Sequence, residues 1–457
     1  MSGKSEVAGA GGERFDRGSR EAAAEEHFQR YLWTRLLLPL AGIWQLASPA
    51  TFGYGGSAMA WSDFASGALL VVLGLLSLTP RRLWAPWAAF AVGVWLEFAP
   101  ILLWAPAAAY LNSSLVGIAV VALTVLIPDV PGAVRFREPG PDRPPGWSYN
   151  PSSWVQRMPL LVLAVGGWFL SRYLAAFHLG FIDTVWDPFF GDGTREVLLS
   201  DVSEAFPVSD AGLGAVAYTF EALFVFLGAR DRWRTNPSTV IVFCLLVVPL
   251  GVTHLVLVTL MPVLVGHWCT FCLLTAILML LMVPLAVDEI VATGMFVRRK
   301  MAQGHTFRGI VAKGGGLPEK TEDAPDPKPN VALPVLWPAM VRGVSLPWML
   351  VLSTGLGAWL FFAPAVLGTG GGAANNVYLT AALVVTVSVV ALAEVARIVR
   401  FANVPLGLWV ALAAWVFPDV ALPEKMAYTV TGLLLAVLAL PRGPVHERYG
   451  DWERWIR

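Results

Sequence analysis

His267-Trp268-Cys269-Thr270-Phe271-Cys272 opens a run that continues to Val287 without a single Asp, Glu, Lys or Arg. An α-helix rises about 1.5 Å per residue, so about 20 apolar residues cross the roughly 30 Å of bilayer hydrocarbon. The stretch 267–288 therefore reads as a transmembrane helix, with Asp288 at its far end. Its two cysteines are three residues apart at the helix start. Backbone N–H groups there lack intrahelical partners, and the positive end of the helix dipole stabilises a thiolate. A thiolate is the attacking species in disulfide exchange.

Outward from this run the same apolar pattern recurs along the chain. Of 457 residues, 56% are hydrophobic and 14% charged, against roughly 25% charged in soluble proteins. Stretches long enough to span lie near 31–49, 60–79, 84–106, 112–129, 157–181, 210–229, 238–262, 267–288, 344–367, 376–396, 402–418 and 426–441. The expected fold class is an all-α polytopic membrane protein with about twelve transmembrane helices in three four-helix blocks. Residues 1–20 read as disordered and Glu21–Arg30 as a short helical lead-in; no apolar segment precedes residue 31, so the first span is expected to serve as the insertion signal. With the N-terminus cytoplasmic, all of the 32 Lys and Arg except Arg172, Arg195 and Lys425 fall on the cytoplasmic side. The positive-inside rule thus places a multi-pass protein in the cell membrane with both termini cytoplasmic. A net charge of zero argues against nucleic acid as a partner.

The expected domains are a tail at 1–30, a four-span block at 31–129, a cytoplasmic linker at 130–156, a central block at 157–290, a disordered cytoplasmic linker at 291–343, a second outer block at 344–441 and a tail at 442–457. The outer blocks repeat internally. Gly42-x-Trp44-x4-Pro49 recurs as Gly93-x-Trp95-x4-Pro100 and as Gly357-x-Trp359-x4-Pro364, with a weaker copy at Gly407-x-Trp409. A second glycine follows in three copies, Gly67, Gly117 and Gly432, with Ala382 in the other. Each unit reads as a helical hairpin: the glycine lets neighbouring helices approach, and the proline ends or kinks a helix. Ser48-Pro49, Ala99-Pro100, Ala363-Pro364 and Ala414-Trp415 make these blocks resemble the SPW-repeat membrane family, named for a Ser-Pro-Trp motif. That resemblance implies no chemistry, and Asp63 and Glu97 read as solvated charges near outer helix ends.

The central block differs. A long outer loop, 182–210, is acidic and carries Trp186, Phe189, Phe190 and Phe206, which are expected to fold it down onto the membrane surface. Asp187 and Asp192 flank Gly191; a solvated acidic loop and a calcium site are both open there. Zinc needs two more ligands than the cysteine pair offers, so no metal is expected. Cys244, near the cytoplasmic end of its span, reads as an inert core thiol that stays free.

Four spans, a long outer loop after the first, and Cys-x-x-Cys at the outer start of the fourth resemble the vitamin K epoxide reductase family. Val197-Leu198-Leu199-Ser200, Phe206-Pro207, Asp210-Ala211-Gly212-Leu213-Gly214 and Tyr218 follow that family's Val-Leu-x-Ser, Pro, Asn-Ala-x-x-Gly and Tyr pattern. The resemblance implies a thiol:quinone oxidoreductase with Cys269 and Cys272 catalytic, a membrane quinone as substrate and an extracytoplasmic thiol protein as partner. It implies Cys269 as the exposed, attacking thiol and Cys272 as the one facing the quinone. Departures are equally plain. The loop has no cysteine, and Thr194 stands where one is expected; Asp210 replaces the quinone-contacting Asn; Ala276 replaces the Tyr of vertebrate members.

Arg172, Glu221 and His254 lie inside spans of this block. Charges at such depth normally face the bundle interior and find partners, so Arg172 is expected to pair with Glu221, near His254, as a proton-supplying floor. Asp210, Tyr218, Ser200 and His267 complete the candidates for quinone binding or proton relay, with His267 as a tuner of the Cys269 thiolate. A non-enzymatic scaffold or redox sensor on a degenerate reductase fold is the main alternative, and a transporter the third.

Overall fold

The computed structural model describes residues 5–133, 138, 140–203, 205, 207–318, 331–418 and 420–456, with side chains from residue 18 onward. Glu204, Phe206 and the linker positions 319–330 lie outside the described residues. Among the described residues, nine helices are long and apolar enough to cross a membrane: Ala58–Ser77, Trp84–Leu102, Ala107–Leu126, Trp154–His178, Pro237–Val265, Thr270–Ala302, Trp348–Leu367, Gly371–Val390 and Glu394–Val416. Helices also occupy the other three expected positions, as Leu32–Thr51, Asp210–Phe226 and Leu422–Leu438. The protein is an all-α, multi-pass membrane protein. Many of its large apolar side chains point outward, Trp61, Val162, Leu245 and Val416 among them, as lipid contact requires.

Two compact units form: Met1–Gly140 with Phe226–Thr239 and Arg299–Pro318, and Pro141–Val225 with Val240–Arg298 and Glu319–Arg457. The redox motif and the C-terminal repeat block thus share the second unit.

In the first unit, hairpins are closed by paired glycines. A Cβ placed on Gly42 would lie 2.6 Å from the Gly67 carbonyl oxygen, and one on Gly67 would lie 2.8 Å from that of Gly42. The same reciprocal approach joins Gly93 to Gly117 here and Gly407 to Gly432 in the second unit. Bilayer helices gain their association energy from such close packing rather than from water exclusion. The motif tryptophans then tie hairpin to hairpin. Trp44 Nε1 donates to Asn112 Oδ1 at 2.8 Å, Trp95 Nε1 to Ser62 Oγ at 3.0 Å, and Trp409 Nε1 to Asn376 Oδ1 at 2.9 Å. Pro49, Pro100 and Pro364 each sit in the last turn of their helix.

Asp63 and Glu97 are not solvated; both are buried. Asp63 accepts from Gln45 Nε2 at 2.6 Å, Tyr54 Oη at 2.5 Å and Ser113 Oγ at 3.2 Å. Polar side chains of neighbouring helices replace water around it.

Other corrections concern the segments between blocks. The N-terminal stretch is one helix, Ser5–Arg30, supported near its end by an i,i+4 contact of Arg30 with Glu26 at 3.1 Å. The redox helix runs on to Ala302, past the expected end at 288, with Arg299 and Lys300 favourably placed in its last turn. The linker expected to be disordered holds helices Phe307–Lys313 and Leu333–Met340. The latter buries Leu336, Ala339 and Met340 against Val155. Between Val390 and Asn403 the chain makes a 3₁₀ segment, Glu394–Ala402, rather than a direct span-to-span turn. Glu394 holds the C-terminal tail there, accepting from the His446 N–H at 2.9 Å, the Glu447 N–H at 3.1 Å and Tyr449 Oη at 3.0 Å.

At the same end of this unit Tyr149 donates to Asp288, and Tyr449 packs edge to face on both Trp147 and Tyr149. Burial first, then the neighbouring carboxylates, push the Tyr149 and Tyr449 hydroxyls far above their ordinary range. Both therefore stay protonated and keep donating. These contacts hold the redox helix at Asp288, well along it from the cysteines.

Candidate active site

The redox motif begins where a helix fails. Helix Pro237–Leu260 loosens into a π-turn, Met261–Val265, and stops at Gly266 with φ of 74°. Only glycine adopts that left-handed conformation cheaply. Residues 266–269 have no regular structure, and the next helix starts at Thr270. Cys269 therefore lies just outside the helix and Cys272 within its first turn. They are joined as a disulfide, with Cα atoms 5.3 Å apart. The Cys272 N–H, one of the orphan donors of the helix start, points to Cys269 Sγ at 3.1 Å. Cys244 is a free thiol.

The loop between helices Trp154–His178 and Asp210–Phe226 folds over this motif. Asp187 is its latch. One carboxylate oxygen accepts from the Phe189 and Phe190 N–H groups at 3.0 and 2.9 Å, and from the Thr270 hydroxyl. The other accepts from the Thr194 N–H at 3.1 Å, the Thr194 hydroxyl at 2.5 Å and the Thr270 N–H at 3.2 Å. Neither the calcium reading nor the solvated reading of Asp187 survives, because protein donors take both of its oxygens. Burial alone would raise the Asp187 carboxyl. The Thr194 and Thr270 hydroxyls and the two backbone N–H groups outweigh it and hold the group well below the usual carboxylate range. Gly193 completes the closure: a Cβ there would stand 2.1 Å from the Trp268 carbonyl oxygen. Phe271 packs on Tyr173 and Trp186, with ring centroids 5.3 and 6.4 Å apart.

This closure corrects one expectation. Cys269 is wholly buried beneath the loop and is not the exposed member of the pair. Cys272 is half-buried and lines a cavity of about 180 Å³. Ser200, Asp210, His254 and Thr275 line it too, among apolar walls that include Leu257, Val258 and Met261. His254 Nδ1 meets the Leu250 carbonyl oxygen at 2.8 Å. Nδ1 is thus the protonated nitrogen of the neutral ring, which leaves Nε2 as an acceptor. Asp210 Oδ1 accepts from Ser203 Oγ at 2.8 Å and lies 3.3 Å from His178 Nδ1. Ser200 Oγ donates to the Val197 carbonyl at 2.7 Å.

Apolar pockets with a few convergent polar groups are the usual form of a small-molecule site.

Residues 158–287 match the model of the Vitamin K epoxide reductase family. The SPW repeat domain model matches 32–127 and 347–442, so two repeat domains flank the reductase-like segment. Among curated proteins and among solved structures, nothing matches the chain.

Within the matched segment 158–287, the other named candidates fall in distinct places. Tyr218 is fully buried below the cavity; its hydroxyl donates to the Thr275 carbonyl at 2.8 Å, and its ring centroid lies 6.1 Å from that of His254. Gly167 makes room for the ring, since a Cβ there would lie 2.3 Å from it. Glu221, one turn further along, is also fully buried, and neither carboxylate oxygen has a hydrogen-bond partner. The expected Arg172–Glu221 pair is therefore not made. Arg172 instead places its guanidinium over the Trp168 ring, 5.2 Å from the centroid. A cation can be satisfied by an aromatic face on its own helix, and spacing alone did not reveal that option. His267 is exposed and lies outside the cavity lining. His178 was missed by sequence reasoning. Its signal was its place at the end of a span, opposite Asp210 in the following helix.

Proposed function

We propose that the central segment is a thiol:quinone oxidoreductase. The observation that carries this reading is the placement of Cys272, one partner of the disulfide, in the wall of an apolar cavity shared with His254 and Asp210. In the forward direction a quinone enters the cavity beside Cys272. Two electrons and two protons leave the Cys269/Cys272 dithiol; the S–S bond forms and the quinone becomes a quinol. The reverse reaction breaks the S–S bond and oxidises the quinol. His254 Nε2 and Asp210, both lining the cavity, would accept the hydroxyl protons of a quinol, and in their protonated forms would donate to a quinone oxygen. Because the loop has no cysteine, an external thiol, carried by an extracytoplasmic protein, exchanges with Cys269 directly, and the Asp187 latch must open to admit it.

Alkylation trapping in native membranes tests this. Quinone added to the reduced protein should convert Cys269 and Cys272 to the disulfide while Cys244 stays alkylated. A dithiol that ignores quinone, yet still follows an external redox buffer, would favour the second reading: a redox sensor on a reductase scaffold, which the burial of Cys269 supports.

We read the domains as 31–129, 157–290 and 344–441, in a cell membrane with both termini cytoplasmic. The bias of Lys and Arg supports this orientation. A single introduced cysteine at position 190 should be labelled from outside intact cells, and one at position 320 should be protected. Labelling at 320 overturns the orientation.

A further inference from the structure

Backbone hydrogen bonds hold the lead-in 266–269 at its two ends, Gly266 N–H to the Met261 carbonyl at 2.9 Å and Leu273 N–H to the Cys269 carbonyl at 3.0 Å, and side-chain anchors on either side of Cys269 add to them. Asp187 is the anchor on the Thr270 side. On the other side is Trp268, between His267 and Cys269, whose ring enters an aromatic cluster of the C-terminal repeat block. Its centroid lies 4.8 Å from Phe361, 5.0 Å from Phe362 and 5.7 Å from Tyr378. The contact is broader than one ring. Leu255, Val258, Val263 and Leu273 of the reductase segment pack on the same core, which buries Leu360, Phe361 and Tyr378. Val258 also lines the cavity beside Cys272. The C-terminal block thus backs both the cavity wall and the residue next to the redox cysteine.

We propose that this block is the positioning element of the redox site and that Trp268 is the positioning residue through which it acts. Cys269 stands outside the redox helix and Cys272 inside it. Any shift of the lead-in changes the distance the disulfide must span, and with it the balance between disulfide and dithiol. A Cys-x-x-Cys pair has a poise set by such local stabilisation of one redox form. Eight helices of visible length but no chemistry of their own thereby gain a role, at least in their C-terminal half. Only the turnover arm of the test below rests on the oxidoreductase reading.

The measurement is the thiol–disulfide equilibrium of Cys269 and Cys272 in the full-length protein in vesicles, poised in glutathione buffers and read by alkylation mass. Trp268→Ala and Phe361→Ala should each shift that equilibrium constant by about tenfold, about 30 mV for a two-electron couple. Trp268→Phe should stay within about twofold of the unmodified protein. Phe361→Leu, which keeps most of the bulk, should move it about threefold and decides the matter if the alanine variants do not fold. Trp359→Ala, on the same helix but 41% exposed and outside the cluster, is the control and should shift nothing. An unmoved equilibrium in Trp268→Ala and Phe361→Leu overturns the proposal, as does an equal shift in Trp359→Ala. In quinone turnover, kcat should fall in Trp268→Ala while KM holds; a change in KM alone contradicts positioning. If no variant turns over quinone, the unmodified protein included, but the equilibrium shifts persist, the quinone reading falls and the positioning role stands.

Discussion

Cys272→Ser and Cys269→Ser should each lower quinone-linked turnover by about a thousandfold or more. A two-electron exchange between a dithiol and a quinone needs both sulfurs: one to be attacked, one to leave. A serine hydroxyl forms no S–S bond and is not ionised at neutral pH. Because the two cysteines act as one unit, the double variant should lose no more than either single one. The geometry adds an asymmetry. The free thiol left in Cys269→Ser is Cys272, in the cavity wall; the one left in Cys272→Ser is Cys269, sealed under the loop. A small apolar maleimide should therefore modify Cys272 faster than Cys269. Turnover above about one hundredth of the unmodified rate in either variant would falsify the assigned chemistry.

Apolar run length made the fold class legible, because a bilayer demands helices and sets how long they are. The repeat was legible for a related reason. Gly42, Gly67, Gly407 and Gly432 sit where two backbones touch, and no other residue type fits. The cysteine pair was legible by its spacing and its place at a helix start. Tertiary partners were not. Arg172 and Glu221 looked like a pair by depth, yet depth does not fix azimuth, and the arginine settled on Trp168 instead. Asp63 looked solvated, because nothing local shows that Gln45, Tyr54 and Ser113 converge on it from other segments. The burial of Cys269 was hidden for the same reason. It depends on a loop whose ordering comes from six hydrogen bonds to Asp187, and an acidic loop read in one dimension looks solvated.

Asp187→Asn should open that loop. The substitution keeps the size of the side chain but puts an NH₂ group where one carboxylate oxygen now accepts from N–H and O–H donors. Hydrogen bonds to a charged group contribute about 1.5–3 kcal/mol each, so losing one oxygen's set costs about 3 kcal/mol even after partial compensation. That corresponds to about a hundredfold more frequent opening. In the reduced protein, alkylation of Cys269 should accelerate by about the same factor, while Cys272 changes little because the cavity already admits small reagents. The pH dependence has a definite sign. The folded-state pKa of Asp187 is depressed, so its contribution to closure is complete above the unfolded carboxyl value of about 4. It is lost only as pH falls through the lower folded value. Between pH 5 and 8 the unmodified loop should stay latched, and any pH trend in Cys269 reactivity there should be that of the thiol alone. Below about pH 4 the unmodified protein should begin to approach the asparagine variant. The variant itself should show no such transition. A thiosulfonate reagent followed by mass detection of Cys269 gives the rates at each pH. Equal rates for the two proteins at pH 7 would mean that Asp187 does not hold the loop closed.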